Sequence, residues 1–459
     1  MKEIFKYIVV LAVVITLSYT TVTECADNST IASPFGFHPA SVYKSGYTKG
    51  AFDAANDLGL KWTRETVYAY WSVVQQKLSV KQYDFTLLDK QFGAVPKGIN
   101  ILGNITAHDL TSSGYTKTGS YIPTDTSSYV AFVKAVVERY DGDGTDDMPG
   151  LKNPVKYWQV DNEPSLEIAD GFATLQKITY NAIKAACSDC TVLMGGVPGT
   201  PPADTYLQDF EKNYKPFITE LNGNYVDAFD FHWYGNATGD YKGIKDVYNS
   251  IRQTLDDAGF TSAPIWITEL GSYSGKPSDE DYSQTETQQA ADYVKRYVYA
   301  LSIGIKKVFV AFGIIEGFKN TDSYFDHTGV IYDGVGTNDM GVGVKKLAYY
   351  AYKKMVETLD GCDWSTSEEV LQDNDIYVYR VLRNNKPLYI AWNDSGNSKY
   401  VTISETGYST AKVTKAVPPY LNGANVASYN SAFSSETHNF QGGSVSVSVG
   451  QVPVYIELN

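Results

Sequence analysis

"VKYWQVDNEPSLE", residues 155–167, decides how the rest of this chain is read. An apolar run meets Asp161, Asn162, Glu163 and Pro164 without a transition. The run reads as a buried strand, bounded by a turn-forming proline. Pro164 disfavours the helical region for Glu163, which predicts an extended strand end that aims the Glu163 side chain.

Seven similar runs flank it: "SPFGFHP" (33–39), "LKWTRE" (60–65), "INILGNI" (99–105), "TVLMGG" (191–196), "VDAFDFHWY" (226–234), "PIWITELG" (264–271) and "KKVFVAFG" (306–313). Helical patterns separate them, near 48–58, 84–95, 127–140, 171–187, 203–220, 241–258 and 284–303, with an eighth over 342–359. Strand-helix alternation repeated eight times predicts an α/β fold, a (β/α)8 TIM barrel over 33–360. A doubly wound open sheet would carry a glycine-rich phosphate turn after an early strand, and the chain shows none. After 360 the period changes to two. "NDIYVYRVLRNNKPLYIAWN" (374–393) predicts a hairpin turning at Arg383–Lys386, and 361–459 reads as a small antiparallel β-sandwich domain. That domain either braces the barrel or binds polysaccharide through exposed aromatics such as Trp392 and Tyr420.

The chain has 459 residues, 43% of them hydrophobic and 20% charged, enough for a barrel and a second domain. Its net charge of −14 argues against nucleic acid or an anionic membrane as partner, while a neutral polysaccharide would not be repelled. Residues 1–26, with Lys2, Lys6 and an apolar stretch at 8–17, read as a signal peptide and predict secretion, with surface anchoring as the alternative; a monomer is expected. Cys187 and Cys190 form a local disulfide or stay as thiols; no second pair or histidine makes a zinc site of them. Asn-x-Ser/Thr sequons stand at Asn28, Asn104, Asn236 and Asn393.

In a barrel the C-terminal strand ends share one mouth. Glu163 ends the fourth strand and Glu269 the seventh, so two carboxylates from opposite sides face one cavity. Paired carboxylates are what glycosidic cleavage requires, one giving a proton to the leaving oxygen, the other attacking or stabilising the anomeric carbon. Gly271 permits a sharp turn after Glu269. The loops 106–126 and 313–341 are long and border the same mouth.

Asn162-Glu163-Pro164 and Thr268-Glu269-Leu270-Gly271 resemble clan A of the glycoside hydrolases, which includes family 5 cellulases and mannanases and family 39 enzymes. The resemblance implies a retaining mechanism without metal or cofactor, with Glu163 as acid/base and Glu269 as nucleophile. It also implies that Asn162 holds the 2-hydroxyl, that Arg64 supports the nucleophile, and that His232 and Tyr234 belong to the site. Where the clan often ends strand eight in a tryptophan, this chain offers Phe312 or Phe318. His38, ending strand one, His108 and His327 are further candidates for sugar contact; Trp71, Trp233 and Tyr273 are stacking candidates beside Phe312, and Trp158 reads as core. Glu316 is the rival carboxylate, and Asp161 has no evident partner. The expected substrate is a β-linked oligo- or polysaccharide, cut internally as by an endo-β-glucanase or mannanase. Exo-action, transglycosylation and non-catalytic polysaccharide binding are the alternatives.

Overall fold

Eight short parallel strands alternate with helices up to residue 359. The structure, a computed structural model, describes residues 32–38, 48–64, 68–107, 114–165, 167–336, 339–373 and 375–459. The expected signal peptide, Asn28, Glu65 and His108 lie outside the described residues. Strands β1 (Phe35–Phe37), β2 (Trp62–Arg64), β3 (Asn100–Thr106), β4 (Tyr157–Val160), β5 (Thr191–Met194), β6 (Phe229–Trp233), β7 (Ile265–Leu270) and β8 (Val308–Val310) form the wall. Helices α1 (Thr48–Leu58), α2 (Thr86–Ala94), α3 (Thr126–Tyr140) and α4 (Phe172–Ala186) surround the first half. α5 (Ala203–Asp209) continues through a π-helical turn, Phe210–Tyr214, into Lys215–Leu221; α6 (Gly243–Asp257), α7 (Glu286–Ser302) and α8 (Leu347–Leu359) follow.

Hydrogen-bonded ladders join β5-β4-β3-β2-β1-β8-β7-β6 in order. Two single parallel bridges, Leu193 to Ala228 and Val197 to Phe231, close β5 onto β6, so the barrel is complete. Trp62, Leu102, Tyr157, Leu193, Trp266 and Phe309 fill its lower interior, with Trp62 lying 5.4 Å from Trp266 and 4.7 Å from Tyr157. Strand side chains alternate with period two, so two residues further along each strand the same inward face carries Arg64, Asn104, Gln159 and Thr268. Apolar floor therefore gives way to a polar layer just below the mouth. Each large side chain of the floor contributes about 1.5–3 kcal/mol by burial.

Local chemistry sets the helix ends. Asp125 caps α3 by accepting the Ser128 amide at 3.0 Å. Thr285 and Gln288 form a capping box on α7. Cys187 and Cys190 are disulfide-bonded, which ties the α4–β5 turn. Burial pushes the free Cys362 thiol up to about 12. Among the described residues no helix is long and apolar enough to cross a membrane.

The C-terminal part is an antiparallel sandwich. β9 (Cys362–Asp373), β10 (Ile376–Arg383), β11 (Lys386–Asn393), β12 (Lys399–Ser404), β13 (Thr410–Lys415), β14 (Ser435–Asn439), β15 (Ser444–Val449) and β16 (Val454–Leu458) follow one another. One sheet has the order β9-β10-β11-β16-β13-β14; β12 and β15 form the second layer. The β10–β11 hairpin turns through Asn384 and Asn385 at φ 51° and 60°, the left-handed pair that a two-residue hairpin turn needs.

Trp392 is not an exposed aromatic. It is fully buried, stacks on Tyr377 at 5.1 Å and donates to Tyr241 Oη at 2.9 Å. Strand β11 is covered on one face by the second layer and on the other by the barrel, so alternation leaves neither face free. Tyr420 is half-buried against the core. Asp394 completes the junction, taking Lys295 at 2.8 Å and the Tyr241 hydroxyl at 2.7 Å. Asn104 and Asn393 are buried, which removes both as glycan acceptors.

Candidate active site

The mouth of the barrel is organised around Arg64. Its side chain is fully buried, and each nitrogen has a fixed acceptor. Nε donates to Gln159 Oε1 at 2.7 Å, Nη1 to Glu269 Oε1 at 2.6 Å and Nη2 to Asn162 Oδ1 at 2.5 Å. A buried charge so paired avoids the penalty of an uncompensated one. Burial alone would weaken its proton affinity; Tyr68 and Glu269 outweigh that and hold it charged. Gln159 passes the bond on, donating to Asp230 Oδ2 at 2.7 Å.

His38 accepts from Arg64. Its Nδ1 lies 2.7 Å from the Arg64 carbonyl and must donate to it, which leaves Nε2 as acceptor for Arg64 Nη1 at 3.1 Å. Burial, then the Arg64 charge, lowers its pKa, so the ring is neutral. His232 is the opposite case. It too is fully buried, which opposes charge, but the Glu269 carboxylate and hydrogen bonds to Asp230 and Glu163 push it up to about 10. Its Nδ1 lies 2.6 Å from Glu163 Oε1 and 3.5 Å from Glu269 Oε2. Burial also opposes ionisation of Glu269, yet the His232 charge and the Arg64 guanidinium hold its carboxyl well below the usual range. Tyr234 donates its hydroxyl to Glu269 Oε2.

One oxygen of Glu163, one of Glu269 and a ring nitrogen of His232 all lie within 4.8 Å of one another. By spacing alone these three could hold a metal ion. All three are tied to protein partners, His232 Nδ1 to Glu163 and Glu269 to Arg64 and Tyr234. A second acidic group, Asp141, Asp143 and Asp147, lies in the α3–β4 connection, where Asp147 accepts the amides of Gly142 and Gly144 at 3.0 and 2.8 Å.

Two backbone features present the carboxylates. On β7, Phe231 of β6 pairs with Ile267 but His232 pairs with Glu269, so Thr268 is an extra residue in the ladder. This bulge turns two successive side chains inward: Thr268 binds Asp230 while Glu269 meets Arg64. Strict alternation would have sent one of them to the helices. At β4 the chain does not stay extended. Asp161 and Glu163 have φ 64° and 49°, left-handed values that bracket Asn162. Pro164 therefore does not straighten the strand end; it packs on Gly195, where a Cβ would come 2.8 Å from its Cδ. Residues in this region cost about 1–3 kcal/mol each, and such strain concentrates at working sites. Asp161 offsets part of it by accepting the Asn162 amide at 2.7 Å. Its other oxygen is buried without a partner, and burial raises its pKa to about 7.

Close approach explains two glycines. A Cβ on Gly196 would lie 2.4 Å from His232 Nε2. A Cβ on Gly271 would lie 2.7 Å from the Tyr234 ring, so this glycine makes room rather than a turn.

Glu163, Glu269, Asn162, Arg64, His232, Tyr234 and His38 are thus brought together. Phe312 joins them, half-buried, its ring parallel to Tyr234 at 6.1 Å and 5.4 Å from His38. Trp71, Trp233 and Tyr273 are fully buried in packing, which ends their candidacy as sugar platforms; Trp158 is core. Glu316 pairs with Lys346 rather than with either glutamate, and His327 meets Asp322 at 2.9 Å in the loop after β8. Sequence reading missed Gln159, Asp230 and Tyr68, whose ring lies 5.6 Å from the Arg64 guanidinium. The signal was available for the first two: polar residues on the inward face of apolar strands.

Residues 180–309 match the family described as the glycosyl hydrolase catalytic core. No curated protein matches the chain in sequence. Its fold is similar to that of a family 39 glycoside hydrolase from Bacteroides cellulosilyticus, with 16% identity, a TM-score of 0.66 and coverage of 94% of this chain and 82% of that one. It is also similar to the family 51 α-L-arabinofuranosidase of Thermotoga petrophila (12% identity, TM-score 0.61, 94% and 96% covered). A family 30 endoxylanase from Clostridium papyrosolvens is similar at 14% identity, TM-score 0.55, with 93% and 97% covered. Fold and segment match agree with the clan A resemblance: this chain has the barrel-and-sandwich fold seen in family 39, 51 and 30 glycoside hydrolases.

Proposed function

We propose that the protein is a retaining glycoside hydrolase acting on β-linked glycans. The carrying observation is the approach of Glu163 and Glu269, with oxygens within 4.8 Å of each other across His232. Retaining enzymes hold their carboxyl groups about 5–5.5 Å apart, inverting ones about 6.5–9.5 Å to admit a water. Glu269, ionised and held by Arg64 and Tyr234, attacks the anomeric carbon. The bond to the leaving oxygen breaks as that oxygen takes a proton from Glu163, which is left as a carboxylate hydrogen-bonded to His232. A water then gives its proton to Glu163 and displaces Glu269 from the anomeric carbon. Asn162, oriented by Arg64, is placed to hold a neighbouring sugar hydroxyl.

Internal cleavage of β-glucan or mannan is the finer reading, favoured by the long loops at the mouth. The similar structures include a glucosidase, a β-xylosidase, an α-L-arabinofuranosidase and an endoxylanase, so fold likeness does not choose the sugar. Export is part of the proposal, supported by the leader-like residues 1–26 and by the Cys187–Cys190 disulfide, which suits an oxidising compartment. A screen over β-1,3-glucan, β-1,4-glucan, mannan, xylan and galactan with product sizing separates endo from exo action, and added acceptor sugar reveals transglycosylation. Glu269→Ala should abolish hydrolysis, and azide should restore turnover with inverted product; full activity in that variant would end the proposal.

A further inference from the structure

The turn that carries Glu163 is gripped from β3. Gln159 points inward, so strict alternation would send Asp161 and Glu163 into the barrel and Asn162 out to the helices. Instead Asn162 meets Arg64 and Glu163 meets His232, two successive side chains in one cavity. The left-handed backbone at Asp161, φ 64°, makes that change of phase. The Asp161 carbonyl then finds its donor in a side chain: Asn104 Nδ2 of β3 donates to it at 2.7 Å. The Asp161 amide is tied to β3 as well, donating to the Ile105 carbonyl at 2.8 Å. From the other side Gly195 leaves room, since a Cβ there would lie 3.1 Å from the Asp161 carbonyl oxygen.

Asn104 has one orientation open to it. A carbonyl oxygen only accepts, so the amide nitrogen must face Asp161. Its Oδ1 is then turned to Thr106, whose hydroxyl donates to it at 2.7 Å. Thr106 stands two residues further on the same face of β3. Both side chains are 3% exposed, so water does not compete for either bond. Left-handed residues other than glycine persist where their surroundings over-determine them, and these bonds supply that determination. Glu269 is fixed separately, by Arg64 and Tyr234.

We propose that Asn104, oriented by Thr106, is a positioning residue for Glu163: it holds the Asp161 carbonyl so that the turn delivers Asn162 and Glu163 to the same cavity. This role rests on the glycosidase reading and ties β3 to proton donation rather than to the nucleophile.

The test measures kcat/KM of the full-length protein on dinitrophenyl and phenyl β-glycosides of glucose, mannose and xylose. The dinitrophenyl leaving oxygen departs without a proton, while the phenyl one needs the general acid. Glu163→Ala sets the full contrast between the two. Asn104→Ala should lower kcat/KM about a hundredfold on the phenyl glycoside and about tenfold or less on the dinitrophenyl one. Thr106→Val should show the same contrast in smaller measure, and Thr106→Ser, which keeps the hydroxyl, should recover most of the loss. Should Asn104→Ala fail to fold, the Thr106 pair decides. The proposal is overturned if both glycosides lose equally, if neither loses, or if Thr106→Ser loses as much as Thr106→Val. A crystal structure of Asn104→Ala with the Asp161–Glu163 turn and the His232 contact unchanged overturns it as well. A contrast in Glu163→Ala that is missing from the Asn104 and Thr106 variants removes only the positioning role. No contrast in Glu163→Ala removes the acid/base assignment, no turnover of any glycoside removes the glycosidase reading, and the positioning role falls with either.

Discussion

Arg64 reaches Glu269 Oε1 through Nη1 at 2.6 Å and Asn162 Oδ1 through Nη2 at 2.5 Å, so one guanidinium fixes residues from two different strand ends. Lysine is a point charge and cannot span both acceptors while also meeting Gln159. Arg64→Lys should lower kcat/KM by about a hundredfold, the scale of losing a preorganised charge contact, and should lower the melting temperature as well, because buried acceptors lose their donors. Steady-state kinetics on an aryl glycoside check it; loss below about threefold would contradict the role.

His232 gives a stability signature. The fold raises this group from 6.5 to about 10, so its contribution is complete below about pH 6.5 and is lost as the pH rises towards 10. His232→Gln removes the cation from among Glu163, Asp230 and Glu269. Denaturant titrations should find the wild type more stable by a few kcal/mol at pH 6, with the difference shrinking steadily to pH 10. A difference that is flat with pH would show that the imidazole is neutral.

Asp161 should behave in the reverse sense. Its folded pKa, about 7, lies above the ordinary 3.8, so stability falls as pH rises between those values, while the neutral form fits the fold. Asp161→Asn keeps the acceptor for the Asn162 amide and carries no charge. It should stabilise the protein by up to about 4 kcal/mol at pH 8 and hardly at all at pH 4, read by thermal melts at both.

Gly196→Ala tests close packing behind the site. A Cβ 2.4 Å from His232 Nε2 must displace the ring, and with it the hydrogen bond to Glu163. A tenfold or greater fall in kcat with KM nearly unchanged is expected, since misplacement of about 1 Å costs about a hundredfold.

Trp392→Ala empties the barrel–sandwich junction. Truncating a buried tryptophan costs about 3–5 kcal/mol, and here it also removes the donor that Tyr241 Oη accepts from, while that hydroxyl keeps its own bond to Asp394. Calorimetry should show a lowered melting temperature, and an unchanged one would contradict the packing role of this ring.

The barrel was legible because eight apolar runs and eight helical patterns keep a local period that needs no long-range knowledge. The strand-end glutamates were legible for the same reason. What escaped was set by contacts between distant strands. The extra residue Thr268 is visible only against β6, the left-handed turn at Asp161–Glu163 only against Gly195, and the burial of Trp392 only once the barrel covers β11. Proline rules gave the wrong backbone for Glu163 because they describe an average residue, and this one is held by its surroundings.

Glu269, Arg64, Gln159, Asp230 and His232 follow one another around the barrel axis and return to Glu269, a closed hoop contributed by β2, β4, β6 and β7. Glu269 is a member of this hoop, and Glu163 hangs on it through the single His232 bond. The circuit fixes one carboxylate, and His232 sets its distance from the other. The rim loops stand outside that circuit, so they can be lengthened, recharged or exchanged to accept a different glycan while the reaction beneath them stays the same.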